Sequence, residues 1–489
     1  IEHERGEAAG PASQALERLI EGGGGSSAER RELAKLLGRM RGTRFAGAID
    51  PLLDDPDPSV RRLAFGSAAD CGRYDLAPRM IDALSEREVR RESREALGSM
   101  GDRIAGLLEE ALNDKRRPAR VRYEIPRLLR YLGTERAVHI LLFSNIEDDP
   151  FLRHRIAVAL SRIRRARENL PFDAARTREA TLRRVDAYLY YLPIFRDLQS
   201  ALGEGAILLR VLGDRLDQNV EIIFRLLGLV HPQRTMLNIH NRLLAEDPRE
   251  RAYALELFDN LVDEGIRERV VPVLERHHRL PGGQGEVERA PARLLELAVS
   301  RDAVLRACAI YTLRRRAPEA AALQIVEEGT VSERVMEKVF LLEGVGIFER
   351  CSVDDLAALA AIAHERRFEK GKVIYRENDP GDALYVVIAG RVVLEKDGKT
   401  IFEMTAKEAF GEASLLDGAP RPAGARALAD TRALAIDRQD FLDLVSDRPE
   451  LLKGLFGALT RQLRVVLEMA AAGSLAEPSA APRESKAAG

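Results

Sequence analysis

Apolar residues recur at intervals of three and four along roughly the first two thirds of the chain, which is the spacing of amphipathic helices. Between residues 44 and 330 these helices pair: an apolar helix, an acidic or proline-containing turn, then a second helix opened by an apolar residue and an arginine. The clearest opening pairs are Val60-Arg61, Val89-Arg90, Val121-Arg122 and Leu152-Arg153. Their spacings of 29, 32 and 31 residues predict a stacked helical solenoid.

The solenoid is predicted to have an irregular middle. After Arg167 the period is lost, and longer amphipathic helices are predicted over VDAYLYYLPIFRDL and AILLRVLGDRLDQNVEIIFRLLGLV. Repeat-like pairs return at AEDPRERAYALELFDNLV and SRDAVLRACAIYTLRRR. The recurring Asp-Pro turn followed by Val-Arg resembles HEAT repeats. Upstream, a helix from Pro11 to Arg41 is predicted, with a flexible joint at EGGGGSS, residues 21–27.

From about Val331 the pattern changes to short alternating runs that predict strands. Helical LLEGVGIFERCSVDDLAALAAIA precedes KVIYREN, ALYVVIAGRVVLEKDGKTIFEM, AGARALA and RALAIDR. Asp397-Gly398 predicts a hairpin turn, and Gly381 and Gly390 are predicted where strands turn sharply. An amphipathic helix is predicted after Pro449.

The chain is therefore predicted to be mainly α, a HEAT-like α-solenoid followed by a C-terminal α+β domain. The predicted domains are N-terminal helices over 1–43, the solenoid over 44–330, the α+β domain over 331–472 and a disordered tail over 473–489.

Composition narrows the classes of function. The 489 residues carry a formal net charge of −2, so no overall field favours nucleic acid, and no apolar run is long enough to span a membrane. Three dispersed cysteines suit a reducing, cytoplasmic compartment. Adjacent His277-His278 would point to different faces of a helix, so no metal site is predicted. The chain opens with Ile rather than Met, so we expect a further segment upstream.

One stretch carries chemistry: FGEASLLDGAPRPAGARA, residues 410–427. A glycine and a carboxylate lie side by side, and an arginine follows nine residues after the carboxylate. A phosphate is bound by converging backbone N–H groups and by a guanidinium, whereas a carboxylate suits a sugar hydroxyl. With LLEGVGIFERCSVDDLAALA, GDALYVVIAGRVVL and RALAIDRQDFLDL, the stretch resembles the cyclic nucleotide-binding domain of catabolite activators and kinase regulatory subunits over residues 333–470.

This resemblance assigns roles within the stretch. It implies that Glu412 accepts from the ribose 2′-OH and that Arg421 binds the cyclic phosphate, with the C-terminal helix as a moving lid. The implied site comprises Gly411, Glu412, Ala413, Ser414, Arg421, Pro422 and Ala423. The family usually offers a backbone N–H where Pro422 stands, and often a hydroxyl where Gly424 stands. The second departure favours cAMP over cGMP.

Two functions remain open. The first is a cyclic nucleotide-sensing regulator without enzymatic activity, in which the lid acts on a solenoid that binds a protein partner. The second is a scaffold whose β-roll binds no ligand. The order of modules also resembles the C-terminal portion of bacterial transporters related to ATP/ADP carriers. A DNA-binding regulator is disfavoured, because about sixteen residues after the lid helix are too few for a helix-turn-helix.

Overall fold

The computed structural model describes most of the chain, namely residues 20, 25–40, 45–144, 146–203, 206–245, 247–277, 285–316, 333–448, 451–452, 456 and 460. The chain divides into two compact units. The helical unit comprises Ile1–Gly203 and Arg215–Ala290, and the C-terminal unit comprises Glu204–Asp214 and Pro291–Gly489.

The helical unit is built from consecutive α-helices. These are α1 (Ser27–Gly38), α2 (Pro58–Asp70), α3 (Ala77–Ala83), α4 (Arg90–Ser99), α5 (Ala105–Asn113), α6 (Ala119–Leu132), α7 (Glu135–Phe143), α8 (Pro150–Ala166), α9 (Ala174–Leu202), α10 (Ile207–Val230), α11 (Gln233–Leu243), α12 (Pro248–Leu261) and α13 (Glu264–His277). The predicted long helices are α9 and α10. The opening residues of α10, up to Asp214, belong to the C-terminal unit.

Each predicted apolar-arginine pair lies at the start of a helix. Val60, Val121 and Leu152 lie in the first turns of α2, α6 and α8, and Val89 is the residue before α4. A short helical element precedes each of these helices: a 3-10 turn over Pro51–Asp54, then α3, α5 and α7. The paired helices are thus present at the expected positions, and their stacking as a HEAT-like solenoid stays a prediction.

The arginine of these pairs has a structural task. Arg61, Arg90 and Arg153 donate to the main-chain oxygens of Asp55, Leu84 and Glu147, each six residues earlier, at 2.9, 2.8 and 2.9 Å. The later repeat-like pairs do the same, Arg251 to Ala245 at 2.7 Å and Arg306 to Ser300 at 2.7 Å. Each accepting oxygen lies after the end of the preceding helical element, so this contact fixes the turn between the two helices.

The C-terminal unit surrounds two antiparallel sheets with helices. Its helices are α14 (Ala290–Ala298), α15 (Ala303–Arg316), α16 (Glu333–Glu343), α17 (Val353–Ile362), α18 (Glu412–Asp417) and α19 (Arg438–Asp447). Its strands are β1 (His364–Phe368), β2 (Val373–Tyr375), β3 (Ala383–Ala389), β4 (Val392–Lys396), β5 (Lys399–Met404), β6 (Ala409–Phe410), β7 (Gly424–Ala427) and β8 (Thr431–Asp437).

The strands form two four-stranded sheets, in the orders β1-β8-β3-β6 and β2-β7-β4-β5. Leu384 lies opposite Ile436 in the first sheet, and Val393 lies opposite Arg426 in the second. Apolar side chains from both sheets, including Tyr385 and Phe410, form one small core. Except for the β4–β5 hairpin, which lies within one sheet, consecutive strands alternate between the two sheets, as in the β-roll that the sequence predicts.

The turn glycines are only partly as predicted. Asp397 and Gly398 both have positive φ, 50° and 72°, as a two-residue hairpin between β4 and β5 requires. Gly390 also has a positive φ, 99°. Gly381, just before β3, has no positive φ, and glycine is needed there for close packing, because a Cβ would lie 2.1 Å from the Cβ of Ser414.

Several predictions fall outside the described residues. These are the boundary near 330, residues 1–19, the tail from 473 and nearly all of the helix after Pro449. Among the described helices, none is both long and apolar enough to cross a bilayer.

Candidate functional site

The candidate site begins at a left-handed glycine between β6 and α18. Gly411 has φ 84° and precedes α18, and Gly418 with φ 72° ends the helix. Leu415 N–H already bonds to the Gly411 oxygen at 3.4 Å, whereas the N–H groups of Ala413 and Ser414 lie too early in the helix to have partners within it. These N–H groups are of the kind that binds a phosphate oxygen.

Close packing positions α18 against the start of β3. The side chain of Ser414 is buried, and its Cβ occupies the space where any side chain at Gly381 would lie. Glycine at 381 therefore allows the first turn of α18 to approach the loop before β3. Any larger residue at 381 would displace that turn.

Arg421 is the centre of the site, and it is fully buried, with no exposed surface. Its Nη1 donates to the Gly411 oxygen at 3.1 Å, and its Nη2 donates to the Ala383 oxygen at 2.6 Å. Nη2 also pairs with Asp382 Oδ1 at 3.0 Å, and the guanidinium lies 4.1 Å from the centroid of the Tyr375 ring. The arginine thus joins the turn before α18 to the start of β3.

The main chain of Arg421 is held as firmly as its side chain. Its N–H donates to the Asp379 oxygen at 2.8 Å, and its own oxygen accepts from Asn378 N–H at 2.9 Å. Pro422, the next residue, is exposed, and Ala423 is half-buried. The segment from 421 therefore lies along the 378–379 loop before it enters β7.

Glu412 does not pair with Arg421 in the structure, where the ion-pair partner of the arginine is Asp382. Burial raises the pKa of the Glu412 carboxyl, and the nearby Arg421 charge opposes that shift only in part. The carboxylate is thus half-buried at the first position of α18, without a cation of its own to neutralise it among the described contacts. It is suited to accept from a neutral hydroxyl.

The structure thus brings the predicted residues together from two segments. Gly411, Glu412, Ala413 and Ser414 start α18, and the Arg421 side chain reaches back to Gly411. Sequence reasoning missed Asp382, which lies in the quoted GDALYVV segment, and Tyr375, which lies in KVIYREN. A polar residue directly after Gly381 was the one available signal for Asp382.

A single arginine connects the site to α19. Arg438, the first residue of α19, donates through Nε to the Leu415 oxygen in α18 at 3.0 Å. Its main-chain N–H donates to the Asp382 oxygen at 2.7 Å. A displacement of α18 or of Asp382 therefore acts directly on the first turn of α19.

One group of described residues has metal-binding atoms close together, although the sequence predicted no metal. His364, Asp437 and Asp440 offer ligand atoms within 4.8 Å of one another. His364 is exposed and the two carboxylates are half-buried, an arrangement also common without an ion.

Comparison with known families agrees with this geometry. Residues 365–448, which contain every residue of the site, match the family model described as "Cyclic nucleotide-binding domain". The chain carries a cyclic nucleotide-binding domain at its C-terminal end. The two sheets, α18 and Arg421 all belong to this domain.

Curated relatives match about a quarter of the chain. A CRP-like cAMP-activated global transcriptional regulator of Mycobacterium tuberculosis is 33% identical over 129 residues, covering 25% of this chain and 58% of the relative. A cAMP-dependent protein kinase regulatory subunit of Dictyostelium discoideum is 30% identical over 138 residues, covering 27% of this chain and 40% of the relative. The match thus spans only 58% and 40% of the length of these relatives.

A solved structure is also similar to part of this chain. The N-terminal domain of a transcriptional regulator from Streptomyces coelicolor is 33% identical, with 27% of this chain and 94% of that chain covered and a TM-score of 0.25.

Proposed function

We propose that the C-terminal unit binds a purine cyclic nucleotide, preferentially cAMP, and that binding regulates the rest of the protein. The observation that carries this proposal is the buried Arg421, held between the turn that opens α18 and the loop that holds Asp382. A buried guanidinium beside a helix N-terminus provides both a charge and N–H donors for a phosphate.

Different residues of the site bind different parts of the nucleotide. Arg421 and the N–H groups of Ala413 and Ser414 bind the cyclic phosphate, while Glu412 accepts from the ribose 2′-OH. Gly411 lets the ribose approach the backbone. The relatives whose names mention cAMP support this nucleotide, and Gly424 offers no hydroxyl that would select guanine.

The contacts of Arg421 give a route for regulation. A phosphate at Arg421 competes with Asp382 for the same guanidinium, since Nη2 already pairs with that carboxylate. Asp382 in turn bonds Arg438 through its main-chain oxygen, and Arg438 holds α18 to the start of α19. Ligand binding thus repositions α19, and with it the C-terminal segment that the sequence predicts to be a lid. We further propose that the protein is a cytoplasmic regulator and not an enzyme, and that a HEAT-like scaffold transmits the change to a protein partner or an attached nucleotide transporter.

Calorimetric titration of the full chain with cAMP, cGMP and a cyclic dinucleotide tests the proposal. We expect saturable binding of cAMP, weaker binding of cGMP and none of the dinucleotide. At hundredfold excess over Kd, a bound nucleotide should add about 2.7 kcal/mol to the free energy of unfolding. Absence of heat and of thermal stabilisation with either mononucleotide would reject binding.

The scaffold alternative also has an observation in its favour. Three acceptors, the Gly411 and Ala383 oxygens and Asp382, already engage Arg421. These three contacts stabilise the β-roll without any ligand, although the buried Nε of Arg421 has no acceptor. Titration of Asp382→Asn with cAMP distinguishes the two hypotheses. If the protein binds cAMP, removal of the competing charge should preserve or tighten binding. If the β-roll is only a scaffold, neither the unmodified protein nor the variant should bind cAMP.

A further inference from the structure

The helical unit contains a cavity of about 50 Å³ among α7, α8, α9 and α10. By the measure of one probe sphere per water, this is space for about three to five water-sized groups. Apolar residues such as Leu141, Ile156 and Ile222 form one side of it, while Arg153, Arg183, Arg184 and Glu147 form the other. All of these residues belong to the helical unit and are remote in sequence from the nucleotide site.

The polar side of the cavity has more positive than negative charge. Three guanidinium groups share one carboxylate there: Glu147 pairs with Arg184, lies 3.6 Å from Arg183 Nε and lies 3.8 Å from Arg153 Nη1. Arg183 has a second partner in Glu179 at 2.7 Å, but Arg176 pairs with the same carboxylate. The four cavity residues thus carry a net charge of +2.

The arginines also have buried donors without partners. Arg184 is only 3% exposed, yet its Nη1 has no hydrogen-bond acceptor, and Arg153 Nε and Arg183 Nε are likewise buried without one. Such donors are rare because leaving one unsatisfied in the interior is costly. Three of them at one cavity indicate that an acceptor group belongs there.

The electrostatics of Arg153 are consistent with a missing counter-charge. Burial lowers its pKa to about 10, and the neighbouring charge of Arg184 adds to that effect while Glu147 opposes it. An anion beside this guanidinium would stabilise its charged form.

We propose that this cavity binds a small anion with a phosphate or carboxylate group, whose oxygens accept from Arg153, Arg183 and Arg184. Its apolar side accommodates a short apolar part of the same molecule. The half-exposed Glu147 separates the arginines when no anion is bound and limits the affinity by its own charge.

Titration of the full chain with inorganic phosphate, and separately with acetate, tests this proposal by calorimetry at constant ionic strength. The two arms distinguish a phosphate from a carboxylate ligand. We expect Arg183→Gln to weaken binding by about tenfold, as expected for loss of one charge-assisted contact. Glu147→Gln should tighten it, because the competing carboxylate is removed. Both side chains are partly exposed, so these variants avoid the folding risk of substituting Arg184.

Arg178→Gln is the matched control. It makes the same charge change on α9, but its side chain pairs with Asp263 and does not line the cavity. Its phosphate affinity should equal that of the unmodified protein. Absence of binding in both arms would overturn the proposal and assign the cavity to water. Binding that is insensitive to both Arg183→Gln and Glu147→Gln would also overturn it, since the anion would then lie elsewhere.

Discussion

Gly411 combines a backbone requirement with a steric one. Its φ of 84° is strained for other residues, at about 1–2 kcal/mol, and a Cβ there would lie 2.5 Å from Arg421 Nη1. We expect Gly411→Ala to lower the melting temperature and to weaken cAMP binding, because the guanidinium must move. Gly398→Ala is the control, since Gly398 has φ 72° but open space around it. Equal loss of stability with unchanged affinity in both variants would show that only the backbone of Gly411 matters.

The burial of Arg421 changes what its substitution should do. The sequence predicts that Arg421→Leu abolishes binding with little loss of fold, because the arginine would face the ligand pocket as the main counter-ion of the phosphate. The structure instead buries it. Its loss would take a donor from the buried Ala383 oxygen, at about 1–3 kcal/mol, while the Gly411 oxygen would keep only the 3.4 Å bond from Leu415 N–H. We therefore expect both loss of cAMP binding and a clearly lower denaturation midpoint. Arg432→Leu, at a half-exposed arginine of β8, should alter neither. Full stability of Arg421→Leu would contradict this burial argument.

The raised pKa of Glu412 predicts a pH dependence of binding. The ionised carboxylate is the better acceptor for a ribose hydroxyl. Burial raises the pKa of this carboxyl, so it becomes protonated at a higher pH than an exposed glutamate. Affinity for cAMP should therefore fall as the pH is lowered through this raised pKa. Titrations from pH 8 to pH 5 measure it, and Glu412→Gln should bind more weakly with a flatter profile.

The same shift has the opposite consequence for the protein without ligand. A carboxyl whose folded pKa is raised contributes stability at pH values below its unfolded pKa, and loses that contribution as the pH rises through the folded value. Glu412→Gln should then raise the melting temperature at neutral pH while it weakens binding. A fall in both would mean that the carboxylate is structural.

The sequence could assign Glu412 and Arg421 to one binding site, because both lie within one short stretch whose chemistry fits a sugar phosphate. Asp382 and Tyr375 could not be assigned in this way. Pairing of β3 with β6 and of β2 with β7 brings them to Arg421 from about forty residues away, and no local pattern encodes that contact.

The effect of Pro422 stays a prediction: Pro422→Ala should tighten binding about tenfold if the restored N–H faces the phosphate.

At the scale of elements, the sequence pattern predicted strands beside a clear turn signal and failed where charge dominates. The hairpin of β4 and β5 was predicted because Asp397-Gly398 marks its turn. Strand β1 was missed because its sequence, HERRF, is mostly charged and exposed, and only pairing with β8 makes it a strand. Strand β6 has two residues, too few for any period.

The link between α18 and α19 gives a prediction for these elements. The Arg438 side chain joins them through the Leu415 oxygen, so Arg438→Gln should weaken the coupling of ligand binding to the position of α19, although the main-chain bond to Asp382 remains. We expect nearly normal cAMP affinity, because Arg438 is not assigned to the ligand, but a reduced cAMP-dependent change in hydrogen exchange over α19. Arg432→Gln serves as the control on the adjacent strand. An unchanged exchange response in Arg438→Gln would place the coupling elsewhere.

At the scale of the whole molecule, the structure gives two candidate starting points for the nucleotide domain, residue 333 and residue 291. The sequence predicts that residues 333–470 fold alone, and the two sheets with their own core support independent folding. The C-terminal unit, however, also includes residues from 291 onward, and the Tyr311 ring of α15 stacks on Phe340 of α16 at 4.2 Å. Arg210, from the start of α10, adds bonds to Glu343 at 2.8 Å and to the Cys351 oxygen at 3.0 Å.

These contacts predict a graded stability. We expect a fragment of residues 291–470 to melt at a higher temperature than 333–470, because an aromatic pair of this kind contributes about 0.5–1.5 kcal/mol beyond its buried area. Tyr311→Ala in the longer fragment should remove much of that difference. Both fragments should remain less stable than the same unit within the full chain, since neither retains Arg210. Thermal denaturation of the three proteins and cAMP titration of both fragments provide the measurements. Identical melting of the two fragments would mean that α14 and α15 do not stabilise the nucleotide domain, and that it begins where the sequence predicts.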